Sequence, residues 1–381
     1  MKRHFVVSLA ALILTAMLAS PQDASGQAST KTFAVGKGGS LVLSTSVGDI
    51  TIRTWEKNEV AVSIDGLDAE ELGRVSMSQS GTTVNITYRS RGHSGGSVLF
   101  GLSIPTEFNV ELSTSGGDIQ VGGPLKGKVE GSTSGGDIKI GNISGGPVEM
   151  TTSGGDVTVG DLQCEGRIKT SGGDIRVGKV SSDLQVSTAG GDITVEEVKK
   201  RFEARTAGGS ITAGDVGGEA RLSTAGGDVR VGKVAGQATL STAGGDIECM
   251  GASGAVYAKT AGGDVRLKAI TGIIEAKTAG GEIDAELTPT GKGDSKLSTA
   301  GGDIRLAIAE NAKVTIEATI QVENSGRMER YQVRSDFKAD SYESDKAGAE
   351  IRAIYKLNGG GDRVILQTVN SDIHIRKLSG K

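Results

Sequence analysis

Eleven near-copies of Thr-(Ser/Ala)-Gly-Gly-Asp-(Ile/Val) begin at Thr114, Thr133, Thr152, Thr170, Thr188, Thr206, Thr224, Thr242, Thr260, Thr278 and Thr299. Their successive spacings are 19, 19, 18 seven times, then 21 residues. A degenerate copy, Thr45-Ser46-Val47-Gly48-Asp49-Ile50, precedes them, and Thr368-Val369-Asn370-Ser371-Asp372-Ile373 closes the series. A unit this short cannot bury an apolar face alone, so the chain must stack each unit on its neighbours.

One repeat shows how. Ala220, Leu222 and Thr224 alternate with Arg221 and Ser223, and Val229 and Val231 alternate around Arg230. Period two marks half-buried strands. Gly226 and Gly227 between them are expected to supply the positive φ of a tight turn. Val234 is expected to fill a corner before Ala235-Gly236-Gln237 leads to the next rung. The i, i+3, i+4 spacing of a helix is missing, and no blade-length period of about 40 appears. The expected fold is all-β: a single-stranded β-solenoid (β-helix) of about eleven 18-residue coils with irregular β caps. Aromatic content of 3% agrees with a thin core, since wide cores draw much of their buried area from aromatics.

The start of the chain reads as an export signal. Lys2, Arg3 and His4 are followed by an apolar run from Phe5 to Leu18, too short to span a bilayer, and by small residues with a candidate cleavage point at Ala24-Ser25-Gly26. No later segment is long and apolar enough to cross a membrane. Without Lys2, Arg3 and Asp23 the formal charge moves from -4 to -5, which argues against nucleic acid as a partner. The expected organisation is a signal peptide over 1–26, an N-terminal β cap region over 27–112, solenoid repeats over 113–305 and a C-terminal β cap region over 306–381. Asp68 to Gly73 reads as a helical turn, and Arg89 to Ser97 as a Gly/Ser-rich tip. Tyr331, Phe337, Tyr342 and Tyr355 are candidates to plug the far end. Cys164 and Cys249 stand about 4.7 repeats apart, or roughly 22 Å at one strand spacing per rung, beyond disulfide reach. Both are expected to be free, with Cys249 at a position most rungs give to Val.

Three stretches carry a resemblance: Val60-Ala61-Val62 after Asp49-Ile50 and Trp55; Ile104-Pro105 leading into Val110-Glu111-Leu112-Ser113-Thr114; and Leu357-Asn358-Gly359-Gly360-Gly361 followed by Ile365-Leu366-Gln367-Thr368 and Asp372-Ile373. Over essentially all of the chain after the signal it resembles the bacterial putative-adhesin family of unknown function, related to the head-GIN-domain adhesins. The resemblance implies an exported β-solenoid linked with adhesion or envelope stress, and it supplies no catalytic residues.

The most regular polar feature is a column of carboxylates at Asp118, Asp137, Asp156, Asp174, Asp192, Asp228, Asp246, Asp264 and Asp303, with Ser210 and Glu282 at the two remaining rungs. Lys139, Arg176, Arg230, Arg266 and Arg305 follow two residues later, and Lys169, Arg205, Lys259 and Lys277 precede the turn. Each Asp either accepts backbone hydrogen bonds within its own turn or joins its neighbours in a calcium ladder. One carboxylate per rung is sparse for calcium, which takes six to eight oxygens. The threonine column reads as inward-facing. Gly-Gly-Asp lacks the Gly-Lys-(Ser/Thr) of a phosphate loop, and His93 and His374 stand far from any Cys pair, so no cofactor, zinc or catalytic triad is expected. The leading functional expectation is a non-catalytic structural or adhesive rod, periplasmic, secreted or cell-surface, binding cell-surface polysaccharide or an envelope protein. An envelope-stress or signalling accessory acting through a capping end is the alternative, and a polysaccharide-active enzyme a second one.

Overall fold

The computed structural model describes residues 29–91 and 97–378. The expected signal segment, its cleavage point and His93 lie outside the described residues. The rungs stack in parallel, in register, over the whole repeat region. The first strand of the example repeat, Ala220–Ser223, pairs with Phe202–Arg205 below and Ala238–Ser241 above. The second, Val229–Val234, pairs with Ile211–Ala213 and Ile247–Ala252. Ala220, Leu222, Val229, Val231 and the corner residue Val234 are all buried, so the interior is a set of continuous apolar columns. Large and small residues compensate along them: Phe202 is followed by Ala220 and Ala238 in one column. Cys249 is buried between Val231 and Leu267, and both cysteines are free. Burial pushes the Cys249 thiol up to about 11, as expected for a sulfur used as a small apolar group.

Threonine and glycine build the turn by contacts between rungs. The Thr224 hydroxyl donates to the Gly209 carbonyl of the rung below at 2.7 Å and accepts from the Gly227 N–H of its own turn at 3.4 Å. The same pair of bonds recurs at Thr133, Thr152, Thr170, Thr188, Thr206, Thr242, Thr260 and Thr278. These threonines therefore point inward, each 1–8% exposed. The glycines act differently from expectation. Neither Gly226 nor Gly227 adopts positive φ. A Cβ on the second glycine of a turn would instead lie 2.0–2.3 Å from the glycine carbonyl oxygen one rung below. That position is glycine because two backbones touch there, not because the turn is left-handed.

Both flanks are built from rungs too, laid down out of order. Strands Gly39–Thr45 and Asp49–Trp55 form a rung directly under Phe108–Ser113 and Ile119–Gly122. The chain then runs outward and returns through Thr83–Tyr88 and Leu99–Pro105, which stack on the outer side of that first rung. Antiparallel strands close this outermost rung: Ser76–Ser80 on Thr83–Tyr88, and Glu59–Asp65 on Leu99–Pro105, with Ser29–Ala34 beyond. The expected helical turn is Ala69–Leu72, with the Asp68 carboxylate accepting from the Glu71 N–H. At the other end Asp362–Val369 and Ile373–Lys377 are inserted between Ser295–Ser298 with Ile304–Ile308 and the outer pair Val314–Gln321 with Val333–Ser335. Glu350–Leu357 covers the outer rung antiparallel, with Ser341–Asp345 as the last edge. Open parallel edges invite pairing with other chains. Here the final edge carries Ser341, Glu343 and Asp345, which oppose it.

Aromatic residues concentrate at these ends. Tyr88, Phe100 and Phe108 are buried at the first, and Tyr355 at the second. Tyr331 and Phe337 pack partly against the core, whereas Tyr342 is 49% exposed on the edge strand and plugs nothing.

Candidate binding surfaces

Two outward surfaces run along the rungs. The first is a ridge made by the turns themselves. The residue after each threonine and the first glycine are exposed in every repeat, as at Ser171-Gly172, Ala225-Gly226 and Ala279-Gly280. Their backbones are bonded rung to rung, as in the Gly190 N–H to Ser171 carbonyl bond of 3.1 Å. The ridge is therefore flat, with only methyl or hydroxyl groups standing on it.

The aspartate column borders this ridge. Each aspartate accepts from the next rung and not within its own turn: Asp118 Oδ1 takes the Asp137 N–H at 2.8 Å, Asp137 the Asp156 N–H, Asp156 the Asp174 N–H, and Asp174 the Asp192 N–H. Asp228 and Asp246 do the same for Asp246 and Asp264. Asp264 takes the N–H of Glu282, and Asp303 that of Asp372. Ser210 fits the column because its hydroxyl accepts the Asp228 N–H at 3.1 Å while its own N–H goes to Asp192 Oδ1. Glu282 instead reaches Arg305. The second oxygen faces the cation two residues on: Arg176 to Asp174 at 2.8 Å, Arg230 to Asp228 at 2.7 Å, and Arg266 to both Asp264 at 2.6 Å and Asp246 at 3.1 Å. Arg305 reaches Asp303 at 3.4 Å. Of the cations before the turn, Arg205 pairs with Glu203. The backbone bond from Asp264, aided by Arg266, holds the Asp246 carboxyl below the usual carboxylate range. Among the described residues no group of three or more His, Cys, Asp or Glu is placed to hold a metal ion. His374 stands outward on the inserted rung, 3.9 Å from Asp372.

The second surface is a shallow groove of about 330 Å³, at the point where rung length drops from 19 to 18 residues. Ser144 pairs with Gln163 and Val148 with Gly166, so three residues, Gly145 to Pro147, stand over two, Cys164 and Glu165. The extra residue forms one wall. Glu149, Arg167, Gln185 and Glu203 line the groove as one outward column, with Glu165, Asp183 and Arg201 in the next. Arg201 is held by its N–H on Asp183 Oδ1 at 3.1 Å. Near-identical rungs with short turns would leave this face smooth, and the extra residue breaks that uniformity. The one clue is the change of spacing after Thr152. Carboxylates, guanidinium groups and an amide within one groove can hydrogen-bond a polyhydroxylated or peptide ligand.

No curated protein matches the chain. Similar solved structures include a Bacteroides fragilis protein described as a "putative adhesin", 15% identical, with a TM-score of 0.28, covering 74% of this chain and 97% of that one. A Clostridium sporogenes "putative cell adhesion protein" is 8% identical, with a TM-score of 0.20, covering 93% and 100%. A Parabacteroides distasonis "putative lipid binding protein" is 13% identical, with a TM-score of 0.29, covering 74% and 95%. The family model described as Toastrack DUF4097 matches residues 39–216 and again residues 202–376, and with both spans carrying the stacked rungs described above, the chain belongs to the Toastrack DUF4097 family.

Proposed function

We propose that the protein is an exported, non-catalytic rod of the bacterial envelope that binds a repetitive surface polymer, glycan or protein, along its length. The observation that carries this reading is the turn ridge. It presents the same Ser/Ala-Gly edge at every rung from Thr114 to Thr299, bordered by an aspartate column interrupted at Ser210 and Glu282. Many equal weak contacts along a rigid axis gain avidity against a ligand that itself repeats. The groove beside Glu149 and Arg201 adds a place where such a polymer can be anchored.

Pull-down of the full chain on cell-wall polysaccharide tests this. Retention that falls as internal rungs are deleted supports it. Retention indifferent to rung number, but lost when residues 306–381 are replaced, favours an envelope-stress or signalling accessory acting through a cap. That second reading draws on the caps being the non-repeating surfaces of the rod. Release of new reducing ends from the polysaccharide would overturn the non-catalytic assignment. Cell fractionation tests export.

A further inference from the structure

The N-terminal cap carries a surface of different chemistry. Its outward residues are aligned by strand register. Thr51, Gly101, Ser63 and Thr30 form one row across four strands, and Arg53, Ser103, Ala61 and Thr32 form the next. Small residues in the middle leave a dish of about 400 Å³. A Cβ on Gly101 would lie 2.6 Å from Ser63 Oγ, so only glycine leaves that floor open, and the Ser63 hydroxyl donates to the Gly101 carbonyl at 3.3 Å. The lining carries five hydroxyl side chains and the guanidinium of Arg53, with no carboxylate, while Lys31 borders it by its backbone and turns its side chain to the Val62 and Phe33 side of its strand. Asp49 and Asp65, either side of Leu99, and Glu59, opposite Ala34, stand at the ends of the dish.

Charge pairing separates Arg53 from most arginines of the rungs, Arg167 excepted. Arg176, Arg230, Arg266 and Arg305 all hold carboxylates. Among the described residues neither Arg53 nor Lys31 makes an ion pair, and Lys31 lies 4.9 Å from the Phe33 ring centroid. Lys57, over the Trp55 ring at 4.8 Å, adds a further cation in the turn that follows this strand. On a chain of net charge -4, an exposed guanidinium without a counter-ion, set among hydroxyls in a concavity, is complementary to an anion. The guanidinium fork matches a planar carboxylate through two parallel hydrogen bonds. Serine and threonine hydroxyls both donate and accept, which suits the hydroxyls of a sugar ring.

We propose that this dish binds an acidic saccharide, a sugar ring bearing a carboxylate, with Arg53 holding the carboxylate and the Ser/Thr rows holding ring hydroxyls. The site lies apart from the turn ridge and the rung groove and does not depend on their role.

Calorimetric titration of the full chain with a uronic-acid hexamer, a neutral glucose hexamer and inorganic phosphate tests it. The uronate hexamer is expected to bind saturably, and Arg53→Gln to weaken it about tenfold or more, the scale of a lost hydrogen bond to a charged group. Arg53→Lys recovers part of the affinity, and a control at the exposed Lys179 of the rungs, Lys179→Gln, changes nothing. Arg53 is exposed, so these variants keep the melting temperature of the parent. Equal binding of the neutral hexamer, or an Arg53→Gln variant of unchanged affinity, overturns the proposal. Phosphate displacing the hexamer at equal concentration also overturns it, since the dish would then hold a bare anion.

Discussion

Asp372 donates its backbone N–H to Asp303 Oδ1 at 3.0 Å across 69 residues, and Asp118 donates to Asp49 Oδ1 at 2.9 Å across the same 69. At each end of the rod one rung has been displaced outward by an excursion of equal length, and the terminal rung of the sequence is enclosed in the stack. The aspartate bond that joins consecutive repeats elsewhere here joins segments far apart in the chain. Each end is thereby tied down by strands hydrogen-bonded on both edges.

Removal of a rung should therefore depend on which rung it is. Deleting residues 225–242 takes out one complete internal repeat and lets equivalent neighbours close up, as stacked repeats allow. Deleting residues 362–378 empties a slot between two rungs. We expect the first variant to keep a cooperative urea transition and strand circular dichroism, and the second to lose the transition or aggregate. Equal stability of the two would contradict the enclosed-rung arrangement.

The two glycines of a turn should respond unequally to alanine. At Gly281 a Cβ would sit 2.0 Å from the Gly263 carbonyl oxygen, against 3.4 Å from Gly262 at Gly280. Gly281→Ala is expected to cost about 1–3 kcal/mol, the scale of overpacking. Gly280→Ala should stay within about 0.5 kcal/mol, as for a surface change. Urea midpoints measure both, and reversed order would refute the close-approach account.

Thr224 joins two backbone groups inside the turn, the Gly209 carbonyl and the Gly227 N–H. Thr224→Val preserves shape but removes both bonds, for an expected loss of about 1–3 kcal/mol. Thr224→Ser keeps the hydroxyl and loses a methyl, about 0.8 kcal/mol. Should valine prove as stable as serine, the hydroxyl would carry no structural role.

Acid should weaken the rod through Asp246. The Asp246 carboxyl is held low by the Asp264 N–H and by Arg266, so its folded pKa lies below its unfolded value. Such a group stabilises the fold above the unfolded pKa of about 3.9, and the contribution drains away as pH falls through the folded value. Stability measured by urea is expected to drop below about pH 4, with a shallower slope in Asp246→Asn. An identical slope in that variant would assign the acid response to other groups.

Much of this architecture was legible in the repeats, because side chains alternating in and out along a strand report their environment locally. Leu222, Val229 and Thr224 face inward as their spacing predicts, and Cys249 takes a valine position. Asp228 was harder to read, since its partner is the N–H of Asp246 on the next rung, a contact that no pattern within one turn displays. The role of Gly227 is hidden from the sequence for the same reason: what excludes a side chain there is a carbonyl from another repeat. The flanks lacked the beat because each enclosed rung is separated from its neighbour by 69 residues.

The linear order of residues was thus enough to establish a thin-cored stack of β rungs, since a period of 18 with strict alternation admits little else. Which rung lies beside which at the two ends, where the rod is stepped into a groove, and how Arg53 comes to stand without a carboxylate beside Ser103 were settled only on folding. Those features depend on strand register between distant segments, and register is an outcome of packing many strands at once.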